Sequence, residues 1–124
     1  MMPASFSSTS FIPPRLIAGN SDELVGEKIT LVSGQNLSRG AVLGKITASG
    51  KYKLSASGAS DGSETPDLIL AEDTDASAGD KPALGYSRGD FIQEAIILGA
   101  GHTVASIKEG LRLKNIILVS SMGA

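Results

Sequence analysis

The feature that most constrains this chain is its punctuation. From Ser33 onward, clusters of Gly, Ser, Asn and Asp recur roughly every 8 to 12 residues, and the runs between them are short. The plainest case is RGAVLGKITASGKYKLS, Arg39 to Ser55. Gly40 and Gly44 bracket a brief apolar run that opens a strand over Ala41 to Thr47, and Ala48, Ser49 and Gly50 turn the chain back. In the return strand, Lys51 to Ser55, Tyr52 and Leu54 alternate with Lys51, Lys53 and Ser55, and that period of two predicts a half-buried strand. The hairpin is regular, and it carries little that can do chemistry.

The same reading extends in both directions. A strand is predicted at Lys28 to Val32, followed by a turn through Ser33, Gly34, Gln35 and Asn36. After the loop SGASDGSETPD comes the continuous apolar run Leu68 to Ala71, the pattern of a strand buried on both faces. Gly79 to Pro82 reads as a turn, and Ala83 to Tyr86 with Gly89 to Ile92 as a strand pair about Ser87 and Arg88. One short helix is predicted, capped by Thr103, with Val104, Ile107 and Leu111 on its apolar side and Lys108, Glu109 and Arg112 on the other, ending near Leu113. Asn115 to Val119 is the last strand, and the SSMGA tail is expected to fray. The expected fold is mainly β, β-clip-like with an α+β tendency.

A chain of 124 residues supplies one domain, which we place at residues 21–124 behind an N-terminal arm, residues 1–20. The arm opens MMPASFSSTSFIPP, with three spaced apolar anchors, Phe6, Phe11 and Ile12. Pro13 and Pro14 rule out a helix there and favour an extended path. Such a segment is either unfolded throughout or loose alone and ordered when a partner offers a sheet edge. It lacks the basic start and apolar run of a signal peptide, and no stretch reaches the roughly 18 apolar residues of a membrane span. The protein is therefore expected to be soluble, with no membrane partner and no secretion by that route.

Composition removes further classes. With no cysteine, disulfides and thiolate metal sites are excluded. Eleven Lys and Arg against thirteen Asp and Glu give a net charge of -2, and the basic residues are scattered, which argues against direct nucleic-acid binding. The word AEDTDAS brings Glu72, Asp73 and Asp75 together but lacks the glycine and distal Glu of a calcium loop. His102 is the only histidine, so no His pair can hold zinc, and no Gly-x-Ser-x-Gly elbow surrounds any serine. LGAGHT lacks the Gly-Lys-Ser/Thr ending of a phosphate-binding loop and the third glycine of a dinucleotide fingerprint. We expect no enzyme, no cofactor and no metal, and read the chain as an interaction module. A small β-rich domain using the acidic word with His102 is the alternative of a different class.

Four words taken in order carry a resemblance. RGAVLGKIT, GKY, ILAED and GHT, spread through Arg39 to Val119, resemble the words of the bacteriophage head decoration protein D family. The resemblance implies a capsid-stabilising structural protein that forms homotrimers on the outer surface of the expanded head, at three-fold and quasi-three-fold positions, and secures the shell against the pressure of packaged DNA. It implies the major capsid protein as partner, a virion location after synthesis in the host cytoplasm, and an arm that orders by adding a strand to a capsid loop. Phe6, Phe11, Ile12, Pro13 and Pro14 lie in the corresponding arm. Phe91, Ile92 and Ile96 are candidates for the trimer contact or, equally, for ordinary core. A tail or fibre component is the competing structural role.

Overall fold

In the computed structural model, which describes residues 16–19 and 24–120, the predicted hairpin is one part of a closed ring of strands. The strands are β1 (Ile17–Gly19), β2 (Val25–Leu31), β3 (Asn36–Leu37), β4 (Val42–Lys45), β5 (Tyr52–Leu54), β6 (Pro66–Leu70), β7 (Thr74–Asp75), β8 (Lys81–Ile92) and β9 (Ile116–Val119). The helix α1 (Val104–Arg112) precedes β9. Pairing runs β8 to β2, β2 to β5, β5 to β4, β4 to β6, and β6 back to β8, so the sheet closes as a small barrel. Each of these five strands has a neighbour on both sides, although β2 meets β5 only where Leu31 faces Tyr52. β3 and β7 form a separate two-stranded ribbon.

Two apolar clusters lie on opposite sides of β4 and β6. Leu43, Leu68 and Leu70 join Leu31, Ala41, Tyr52 and Ala76 in one, while Val42 and Ile69 join Leu16, Phe91, Ile107, Leu111, Ile116 and Leu118 in the other. Alternation across a strand sends neighbouring residues to opposite faces, so a strand with a core on each side must be apolar throughout. That is why Leu68 to Ala71 shows no alternation. Each fully buried Leu, Ile or Phe contributes roughly 1.5–3 kcal/mol of transfer free energy.

The helix covers the second cluster. Thr103 Oγ1 accepts from the Ser106 N–H at 3.1 Å, and Ser106 Oγ accepts from the Thr103 N–H at 2.9 Å, a reciprocal cap. Ile107 and Leu111, four residues apart, share the inward face. Asn115, in the left-handed region at φ 69°, then reverses the chain into β9, which runs parallel to β8.

Three expectations need correction. Lys81 to Ile92 is one twelve-residue strand and not a pair about Ser87 and Arg88; the turn expected at Gly79 to Pro82 is cut short by its start at Lys81. Gly89, at φ 148°, is where β8 changes partners, from β2 on one side of it to β1 and β9 on the other. Glycine at that point marks a redirected strand, which in sequence looks the same as a turn. The sheet also reaches back into the expected arm: Leu16 is 2% exposed, and β1 pairs antiparallel with β8.

Candidate functional site

The arm is rooted in the sheet. Ile92 N–H donates to the Leu16 carbonyl at 2.6 Å, Ile17 pairs with Phe91, and on the far side of β8 Val119 pairs with Ile92. β1 is an outer strand of the path, paired with β8 alone among the described residues. The buried Leu16 thus fixes the entry to β1. Phe6, Phe11, Ile12, Pro13 and Pro14 lie outside the described residues.

Phe91 is completely covered and Ile92 is 8% exposed within the single chain. Ile96 is half-buried against the same cluster, beside Ile97, which is 40% exposed. Leu113 and Val25 are the other large apolar side chains left open to solvent among the described residues.

His102 has a structural task. Its Nε2 lies 3.0 Å from Ser55 Oγ and 3.1 Å from the Glu64 carbonyl oxygen. A carbonyl only accepts, so Nε2 carries the hydrogen and cannot take a proton from Ser55. Ser55 is wholly buried, and a Cβ on Gly99 would fall 2.0 Å from its carbonyl oxygen. The imidazole thus ties the segment after β5 and the loop before β6 to the entrance of α1, and the pair is not built as a nucleophile and base.

The acidic word is also engaged by bonds within the fold. Asp73 Oδ1 accepts from the Arg39 N–H at 2.8 Å, and Asp75 Oδ1 accepts from the N–H and hydroxyl of Ser77 at 2.9 and 2.5 Å. The Ser77 bonds hold the Asp75 carboxyl below the usual carboxylate range. Asp75 thus shapes a local turn and Asp73 ties its segment to the turn before β4, and among the described residues no three His, Asp or Glu side chains converge as metal ligands.

A polar network that sequence reasoning missed lies where β5, β6 and the end of α1 meet. Tyr52 donates to Asp67 Oδ2 at 3.2 Å, while Lys114 donates to Asp67 Oδ1 at 3.1 Å and to the Pro66 carbonyl at 2.8 Å. Burial and the Asp67 carboxylate push the Tyr52 hydroxyl up to about 12. Beside it opens a pocket of about 290 Å³ lined by Lys45, Thr47, Gly62, Thr65, Asp67 and Lys114. Its residues come from separate segments, so no local spacing announces it.

No protein among the curated sequences matches the chain. The sequence model of the family described as bacteriophage lambda head decoration protein D matches residues 12–112, from inside the arm through the ring of strands to the last residue of α1. The chain belongs to the bacteriophage lambda head decoration protein D family, and its role is that of a capsid decoration protein of the virion.

Proposed function

We propose that this protein is a cement for the mature phage head: a homotrimer on the outer surface of the expanded shell, at three-fold and quasi-three-fold positions, that holds major capsid protein subunits together against the pressure of packaged DNA. The observation that carries the reading is the span of the family match, which runs from Ile12 to Arg112 and so takes in the end of the arm and most of the barrel. A closed ring supplies a stiff body, and the buried Leu16 supplies a fixed point from which the arm can pull. Phe6, Phe11, Ile12, Pro13 and Pro14 are the residues we place against the shell. Ile96, beside the exposed Ile97, is the side chain we place at the contact between copies.

Strength comes from repetition. Each backbone hydrogen bond that an arm makes as an added strand contributes roughly 0.5–1.5 kcal/mol. Once one arm of a trimer is attached, the other two bind as intramolecular events, and avidity rises without new contacts. No chemical step is required. Deleting residues 1–14 tests the arm: the shortened protein keeps its circular dichroism and its sedimentation as a trimer, and no longer pellets with expanded shells. Full binding by the shortened protein refutes the arm's role.

A further inference from the structure

The pocket beside the Tyr52–Asp67–Lys114 network has an excess of donors. Asp67 is its only acid, and both carboxylate oxygens are already engaged, one by Tyr52 and one by Lys114. Lys114 has two bonds to protein acceptors, which leaves one of its three N–H groups over. Lys45 makes no ion pair, and neither Thr47 nor Thr65 makes a side-chain hydrogen bond, with any described residue. Two ammonium groups, Lys45 and Lys114, thus face the single lining carboxylate of Asp67, with the Glu64 carboxylate held just outside by the Gly62 N–H at 2.9 Å.

The position is separate from the arm. Lys114 stands just before β9, whose other end, Val119, pairs with Ile92 next to the arm's root at Leu16. β9 lies between them, a rise of roughly 10 Å at 3.3 Å per residue. A ligand in the pocket would therefore leave the arm's exit open.

We infer that this pocket is an oxyanion site, in which the Lys45 ammonium and the Thr47 and Thr65 hydroxyls, with the spare Lys114 proton, receive a phosphate or a carboxylate. Charge-assisted hydrogen bonds from ammonium groups are the strong ones for such ligands, and hydroxyls complete the shell. A free phosphate and an acidic side chain of a neighbouring protein share this chemistry.

The test is an amide NMR titration of the full-length protein with sodium phosphate, sodium acetate and sodium chloride at one ionic strength and pH 7. Saturable shifts confined to residues 45–47, 62–67 and 114 are expected with an oxyanion and not with chloride. Phosphate saturating at lower concentration than acetate assigns an inorganic phosphate; acetate saturating at equal or lower concentration assigns a side-chain carboxylate. Lys45→Met, which keeps the apolar stem, weakens the binding by roughly tenfold, the loss of one charge-assisted bond. Thr65→Val, at another exposed wall of the pocket, weakens it less. Equal shifts with chloride, shifts spread over all the lysines, or unchanged titrations of both variants would overturn the assignment.

Discussion

Replacing Phe91 separates a role in the core of the chain from the proposed role in a contact between copies. The side chain is 0% exposed, and its ring lies 5.5 Å from that of Tyr86, tilted by 39°. It sits among Leu16, Ile69, Ile116 and Leu118, which are held on two different strands and on the segment leading into β1. Phe91→Ala therefore removes transfer free energy, leaves a cavity that backbone pairing on both sides of β8 keeps from collapsing, and forfeits an aromatic pair. The first two terms together cost about 3–5 kcal/mol, and the ring contact about 0.5–1.5 kcal/mol when its partner is deleted. Against a total stability of about 5–15 kcal/mol, that leaves a marginal domain. Phe91→Leu, which keeps most of the bulk, costs about 1–2 kcal/mol and stays folded. Urea unfolding followed by circular dichroism at two protein concentrations tenfold apart reads the difference. A core residue lowers the stability by the same amount at both concentrations, whereas an interface residue leaves the dilute protein unchanged and weakens assembly in sedimentation. A loss for Phe91→Ala below about 0.5 kcal/mol in the dilute sample would refute the placement.

Three other perturbations bear on the account. Gly99→Ala puts a methyl group 2.0 Å from the Ser55 carbonyl oxygen, so backbone must move; a loss of about 1–3 kcal/mol in denaturant unfolding is expected. His102→Ala strips a partner from the buried Ser55 hydroxyl and lowers stability by about 1–3 kcal/mol, with shell binding by co-sedimentation unchanged. Tyr52→Phe addresses alkaline stability: the unfolded chain releases the Tyr52 proton near its ordinary value of 10.0, and the folded chain holds it to about 12. The parent therefore has this contribution in full below pH 10 and loses it as pH rises to 12. Melting temperatures across that window should fall more steeply for the parent than for Tyr52→Phe, and parallel curves would count against the burial assigned to the hydroxyl.

Much of the barrel was legible because its signals are local. The alternation of Tyr52 and Leu54, the Thr103 cap with Ile107 and Leu111, and the β-branched run before Val119 each became the element they predict. β8 was not legible, since its glycine at 89 serves a change of strand partners that exists only in three dimensions. β1 has three residues, too few for any period, and only the burial of Leu16 against distant strands gives it a place. His102 stands just before the helix in the sequence, but its partners, Ser55 and Glu64, are 47 and 38 residues away and leave no local signal. The pocket at Lys45 and Lys114 was invisible for the same reason: tertiary closure alone brings its walls together.

The central claim is attachment to the expanded head, and the most direct measurement mixes the purified protein with undecorated cognate shells, expanded and unexpanded, then sediments and images both. The account predicts co-sedimentation with expanded shells alone and new density on their outer surface at three-fold and quasi-three-fold positions. Equal binding to unexpanded shells, or density at any other position, would contradict it.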